Sequence, residues 1–319
     1  MWLSVAALVV AFAALAAIAL RLLARSERTR LLTTRLQIAV PDLHPDLHGL
    51  RIALLTDLHV GLMYVPRERL LRALDAADPD LLLLGGDYAG SRFRVPQATE
   101  LVEELAGRWT TAAVPGNTEH YFPWDLEDLG RRLAERGGRL LRNQAWRLRQ
   151  GSATIEVLGL DDPTYHAADV SATLARSEPT AQLRVAVAHS PGIWQDIPRL
   201  GAHIALCGHT HGGQLRVPGT EALVTHPTYP RRLASGLFAI SNGDRPHPRR
   251  LAGHWDILRA TGPIRVSTRA GALLYVSRGV GLTAPRVRLF SPPEVVSIEF
   301  VPDSPQLPEA KSTGGPQQV

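Results

Sequence analysis

Seven residues able to ligate a transition metal stand at the ends of five apolar runs: Asp57 with His59, Asp87, Asn117, His189, and His209 with His211. The last pair sits in Cys207-Gly208-His209-Thr210-His211-Gly212-Gly213-Gln214, directly after the apolar Ile204-Ala205-Leu206. Glycines on both sides let the backbone turn sharply and approach closely, so two imidazoles two residues apart can be aimed at neighbouring points. Neutral imidazole is the commonest side-chain ligand for such metals.

In an open α/β sheet, ligand sites gather beyond the carboxyl ends of the strands, so five strand tips can converge although the first and last residues stand at positions 57 and 211. The set suits two ions. One carboxylate must bridge them, and Asp87, alone after its strand behind Gly85-Gly86, is the natural bridge. Asp57, His59 and His211 then complete one ion, and Asn117, His189 and His209 the other. Imidazole, carboxylate and amide oxygen together favour Mn, Fe or Zn over Mg or Ca without choosing among the three. Two divalent cations less the charges of Asp57 and Asp87 leave a site of about +2, suited to a phosphate anion. Such a pair acidifies a water and clamps an in-line displacement at phosphorus.

The elements that must position these residues follow a strand, polar tip, helix pattern. Residues 51–56 read as a buried strand before Asp57, and residues 80–84 as another before Gly85-Gly86-Asp87; residues 110–114 form a third, running into Pro115-Gly116-Asn117. Helices are predicted over 66–77, 96–106, 124–135 and 167–176, opened in the first case by Pro66, whose missing N–H costs nothing in a first turn. Further strands are predicted over 145–149, 153–160, 183–188, 272–277 and 294–300. Residues 219–268 have weak periodicity with many Pro, Gly and Arg, which predicts an insertion or lid. Residues 302–319, rich in Pro, Ser, Gly and Gln, predict a disordered tail.

A chain of 319 residues, 45% hydrophobic, can bury one large α/β core, placed at 50–301. The net charge of +5 comes almost wholly from arginine, Lys311 being the only lysine, and lacks the basic stripe of a nucleic-acid binder. The single cysteine, Cys207, excludes an intrachain disulfide. Residues 2–20 contain only Ser4 as a polar residue and would form a helix about 28 Å long, enough to span a bilayer. This predicts a transmembrane anchor over 1–24, followed by a basic linker and first strand over 25–49. No charged stretch precedes the apolar run, which argues for an uncleaved anchor, although Ala17-Ile18-Ala19 could mimic a cleavage site. Arg21, Arg25, Arg28, Arg30 and Arg35 all follow it, so the expected topology is single-pass in the inner membrane with the catalytic domain in the cytoplasm.

In order, Asp57-Leu58-His59, Gly85-Gly86-Asp87, Gly116-Asn117, His189 and Gly208-His209-Thr210-His211 resemble the five signature blocks of the calcineurin-like metallophosphoesterases, over residues 51–300. The resemblance implies a four-layer α/β sandwich, two mixed β-sheets packed face to face with helices outside, and the ligand roles given above. The stretches 212–218, 277–281 and 286–290 look like a membrane-associated bacterial branch that includes phosphodiesterases and pyrophosphatases acting on UDP-diacylglucosamine. A phosphorylated lipid or nucleotide-lipid is therefore the expected substrate, with a phosphomonoesterase, including a protein phosphatase, or a weakly catalytic lipid-sensing protein as alternatives. Arg278, Arg286 and Arg288 either contact substrate phosphate or are solvated rim residues. The third block departs from the family pattern. It ordinarily reads Gly-Asn-His, the His being taken as the general acid, but Thr118 stands in that place, with His120 two residues on. His120 either reaches back into the site or is a surface histidine.

Overall fold

The computed structural model describes residues 2–303 except 224, 226–228 and 243–244. The elements in chain order are α1 (Trp2–Glu27), β1 (Leu32–Val40), β2 (Arg51–Leu55), α2 (Arg67–Ala77), β3 (Leu81–Leu84), α3 (Val95–Arg108), β4 (Thr111–Ala113), α4 (Asn117–Tyr121) and α5 (Leu126–Glu135). There follow β5 (Arg139–Leu140), β6 (Gln144–Gln150), β7 (Ala153–Gly159), α6 (Val170–Leu174), β8 (Leu183–Val187), α7 (Ile197–Leu200) and β9 (Ile204–Cys207). The last are β10 (Gly236–Ile240), β11 (Pro248–Gly253), α8 (His254–Arg259), β12 (Ile264–Ser267), β13 (Ala272–Val276) and β14 (Glu294–Pro302).

Two seven-stranded mixed sheets result, ordered β12-β1-β14-β2-β3-β4-β5 and β11-β10-β13-β9-β8-β7-β6. The largest apolar cluster lies between them, with Leu54, Leu83, Val185 and Leu206 among its members. A second cluster fills the outer face of the first sheet under α2, α3 and α5, and a third covers the outer face of the second sheet under α6 and α7. This is the expected four-layer sandwich. Leu81–Leu84 is buried at every position, because a central parallel strand is covered on both faces and shows no alternation. α2 buries Leu70, Leu74 and Ala77 on one face, and it stops at Asp78, whose φ of 44° is left-handed.

Register decides what the strand tips bring together. β2 and β3 run parallel with Leu55 opposite Leu84, so the chain leaves both at the same level, where Asp57 N–H donates to Gly86 O at 3.0 Å and His59 N–H to Asp87 O at 2.9 Å. In the other sheet β8 and β9 are parallel with Val187 opposite Leu206, and Gly208 N–H donates to His189 O at 2.8 Å.

The structure corrects four boundaries. Residues 219–268, expected as an insertion or lid, supply β10 inside the second sheet, β11 at its edge, α8, and β12 at the edge of the first. Pro and Arg residues flank these strands and mask their pattern: Gly236–Ile240 is wholly buried, whereas β11 exposes Arg249 and Arg250 as an edge strand can. The sheet also begins before residue 50, since β1 pairs with β14 along its whole length, from Leu32 opposite Glu294 to Val40 opposite Pro302. The helix predicted over 167–176 is confined to Val170–Leu174. The apolar helix α1 continues past the predicted end, and the apolar window within its Leu8–Glu27 stretch, of mean hydropathy 2.1, has no buried residue, whereas Glu27 at its foot is buried. Of the tail expected over 302–319, everything beyond Asp303 lies outside the described residues.

Candidate metal centre

Asp57, His59, Asp87, His209 and His211 all have left-handed backbones, with φ between 41° and 69°. Non-glycine residues reach this region at a cost, Asp, Asn and His least reluctantly, and such strain collects at functional sites. Here the strained positions fall just beyond the strand ends, where the donor atoms converge. Close approach also explains two of the neighbouring glycines. A Cβ on Gly116 would overlap Asp87, and one on Gly208 would overlap Thr56 and Asp57.

The seven residues separate into two adjoining groups. Asp57, His59 and His211 form one, and Asp87, His189 and His209 the other, with the donor atoms of each within 4.8 Å of one another. In the first, His59 Nε2 lies 3.2 Å from His211 Nε2, and His211 Nε2 lies 3.5 Å from Asp57 Oδ1. In the second, Asn117 Oδ1 joins as a further donor, 3.0 Å from His189 Nε2 and 2.8 Å from His209 Nδ1, with 3.1 Å between those two nitrogens. Asp87 faces both: Oδ2 is 3.3 Å from His59 Nε2, and Oδ1 is 3.4 Å from His189 Nε2.

These spacings fit metal ions. Two donors each about 2.1 Å from one ion are about 3.0 Å apart at a right angle and about 3.4 Å apart in a tetrahedron. The rings are also turned for ligation. His189 Nδ1 faces Gly85 O at 2.8 Å, and His211 Nδ1 faces Gly281 O at 3.3 Å, so each directs Nε2 at the cluster. With His189 neutral, its Nε2 lone pair confronts those of Asn117 and Asp87, an arrangement that calls for a cation among them.

Electrostatics give the same answer. Burial alone would raise the Asp87 carboxyl, but His189, His59 and the Thr118 N–H outweigh it and hold Asp87 well below the usual carboxylate range. Burial alone would lower His189, but Asp87 holds it well above the ordinary imidazole value. Burial and the neighbouring His59 keep His211 well below that value, in the neutral, ligating form. Asp87 and His189 thus favour each other's charged forms, and a metal ion at His189 competes with a proton for the same nitrogen.

A surrounding layer fixes the ligands. Thr56 Oγ1 donates to Asp57 Oδ2 at 2.9 Å, and His209 N–H donates to the same oxygen at 3.0 Å. Glu119 is buried, and its carboxylate accepts the N–H groups of Asp87, Tyr88 and Gly116 at 2.8, 3.0 and 2.8 Å. Burial and the charge of Asp87 push that carboxyl up to about 7. Thr118 is committed in the same way: its N–H donates to Asp87 Oδ1 at 2.8 Å, and its hydroxyl donates to Glu119 at 3.0 Å. His120, on the first turn and a half after Asn117, places Nε2 2.6 Å from Asp161 Oδ1 and stacks on Tyr165. Asp162 follows Asp161, and its carboxyl, raised by burial, feels the charges of His189 and Asp87.

Two of the three arginines are not rim residues. Arg278 and Arg288 are fully buried. Arg278 pairs with Glu294 at 2.6 Å. Arg288 donates to the carbonyls of Ser291, Arg278 and Gly281 at 2.8, 2.7 and 2.8 Å, tying together the loops behind His211. Both buried arginines hold the backbone around the site and cannot touch a substrate phosphate there. Arg286 is exposed and stands away from the ligands, beside α1. Nothing in the local sequence distinguishes Arg286 from its buried neighbours. The partner of Arg278, Glu294, opens the last strand of the other sheet, and only tertiary structure brings the two together.

Comparison with known proteins agrees with this geometry. Residues 50–213 match the calcineurin-like phosphoesterase family. The chain is 25% identical over 251 residues to the uncharacterized metallophosphoesterase YkoQ of Bacillus subtilis (strain 168), an alignment covering 77% of this chain and 82% of that protein. It is 28% identical over 263 residues to the phosphodiesterase YaeI of Escherichia coli (strain K12), covering 79% and 82% respectively. It is 22% identical over 310 residues to the UDP-2,3-diacylglucosamine pyrophosphatase LpxG of Chlamydia muridarum, covering 82% and 87%.

Proposed function

We propose that this chain, which belongs to the calcineurin-like phosphoesterase family, is a membrane-anchored hydrolase of phosphodiester or pyrophosphate bonds that acts on a phosphorylated lipid or nucleotide-lipid. The observation that carries the reading is the division of Asp87 between two ligand groups, His59 beside one oxygen and His189 beside the other. Asp57, His59 and His211 would hold one divalent ion, and Asn117, His189 and His209 the other, with Asp87 shared; Mn, Fe and Zn all suit this donor set. When bound, the pair supplies positive charge at the transferring phosphoryl group and an acidified water. The protein's own part would be to bury and orient these donors, and to supply an acid for the leaving group. With Thr118 committed to Glu119, we assign that role to His120, whose ring is held by Asp161.

The lipid reading is supported by α1 and by the resemblance to a pyrophosphatase and a phosphodiesterase. The arginines that follow α1 favour a cytoplasmic catalytic domain. The test is metal-dependent turnover of bis-nitrophenyl phosphate, of nitrophenyl phosphate and of UDP-diacylglucosamine by the full chain loaded with Mn. The diester or pyrophosphate should turn over faster than the monoester, chelator should abolish activity, and Asp87→Asn should leave no more than a few per cent with one ion lost by elemental analysis. A variant that keeps both ions and most of its turnover would remove Asp87 from the bridge; a preference for the monoester would make the chain a phosphatase.

A further inference from the structure

The foot of α1 does not stand clear of the domain. Glu27 is buried, and the Arg28 guanidinium lies over the Tyr64 ring at 3.9 Å, which fixes the last turn against the body. Beside it opens a cavity of about 530 Å³, with Leu20 and Ala24 of α1 on one wall and Val217, Leu223 and Val287 on the other. That volume lies within the range of small-molecule sites. Those three facing residues are 48%, 48% and 36% exposed, an apolar face open to solvent where soluble proteins usually place polar groups.

The cavity is apolar within and cationic around its edge. Arg21, Arg25, Arg28 and Arg286 border it, no carboxylate does, and none of the four forms an ion pair among the described residues; Arg216 also lines it, but it is buried and its guanidinium donates to Gly212 O and Ser235 Oγ. Since the apolar run of α1 ends at Leu20 and Arg21 follows it, this opening, lined by both, stands where a bilayer's hydrocarbon would give way to its headgroups. A second cavity, of about 380 Å³, runs from His209 and His211 to Leu215 and Pro285. Leu215 lines both cavities and Pro285 adjoins Arg286, so the groove at α1 leads toward the metal ligands.

We infer that this groove receives an acyl chain of an anionic lipid, with the lipid phosphate drawn by the surrounding arginines toward the metal centre; the inference rests on the hydrolase reading only for the fate of that phosphate. A lipid tail is as well solvated in the bilayer as in an apolar groove, so the groove adds no affinity for a lipid already in the membrane. Its effect is to let the headgroup rise to the ligands without exposing the chain to water.

Two measurements test this on the full chain. In phosphatidylcholine vesicles containing phosphatidic acid with a diazirine at the end of one chain, photolabel should appear in the stretches 215–223 and 286–289 as well as on α1. The double variant Leu223→Glu, Val287→Glu should lose the loop label and keep the label on α1. Label on α1 alone, or loop label indifferent to the substitutions, overturns the groove, and crosslinks between two copies there would make it a dimer seam instead. The second measurement uses nitrophenyl alkyl phosphodiesters below their micellar concentration, where each methylene leaving water can raise kcat/KM by up to roughly four-fold. The ratio of octyl to ethyl substrate should exceed about ten in the wild type and approach one in the double variant; a flat wild-type ratio also overturns the groove. If no diester is cleaved at all, the hydrolase reading fails, while the photolabel still decides the groove.

Discussion

Glu119 accepts the Asp87 backbone N–H at 2.8 Å, and with the same carboxylate it accepts those of Tyr88 and Gly116. The tip of β3 and the loop after β4 are therefore clamped by one buried side chain, and the position of the shared ligand depends on it. Glu119→Gln replaces an acceptor oxygen with an NH₂ group aimed at an N–H. Leaving a buried donor unmatched costs about 1–3 kcal/mol, and disturbing the support of a ligand costs roughly 10- to 100-fold in metal affinity. Thermal denaturation of the metal-free protein and a metal titration should show both losses. Unchanged metal affinity would mean that Asp87 is positioned without the clamp.

How much of this was legible in sequence follows from what each residue needs. The ligands stand at strand ends, where apolar runs stop and glycines begin, so their type and spacing expose them before any fold is known. The supporting residues carry no such mark. Glu119 reads only as the acid after a ligand block, and its three backbone donors come from two different loops. The left-handed backbones at Asp57, His59, Asp87, His209 and His211 are set by the strand register and by the neighbouring glycines, and cannot be read from the side chains. The strands within 219–268 were hidden for another reason: they are edge strands, or strands flanked by Pro and Arg, whose partners lie far away in sequence, as β12 shows by pairing with β1.

The pair Arg278 and Glu294 gives a direct check on the buried arginines. Both side chains have no exposed surface and meet at 2.6 Å. Removing one partner strands a charge in the interior, which typically costs about 3–5 kcal/mol. Glu294→Gln and Arg278→Leu should each lower the denaturation midpoint strongly, while the fraction that remains folded keeps the wild-type KM. A raised KM with unchanged stability would return Arg278 to the substrate.

Topology can be tested without knowing the substrate. Every arginine near the apolar run 2–20 lies after it, Arg21 and Arg25 in the last turns of α1 and Arg28, Arg30 and Arg35 beyond, so the domain should remain on the cytoplasmic side. Alkaline phosphatase fused after Phe300 should be inactive, and a cytoplasmic reporter at the same point should be active. The opposite result would place the metal centre outside the cell membrane and remove cytosolic nucleotide-lipids from consideration.

The hydroxyl of Thr118 is held by Glu119, and the ring of His120 by Asp161, so the chemistry of the leaving group turns on position 120. Loss of a general acid costs about 10²- to 10⁴-fold where the departing oxygen needs a proton in the transition state. An alkoxide needs one badly. Nitrophenolate does not, nor does a phosphate group, whose second pKa is about 6. His120→Ala should therefore slow alkyl phosphodiesters by that factor and leave nitrophenyl and pyrophosphate substrates within a few-fold. Asp161→Asn should reproduce the pattern more weakly, because it loosens the ring without removing it. Thr118→His in the His120→Ala background should restore alkyl turnover if the family position is still within reach of the leaving oxygen. Equal losses on all substrates would show that His120 acts on the metals or the fold, and an indifferent His120→Ala would leave the chain without an acid and confine it to substrates that depart unprotonated, pyrophosphates first among them.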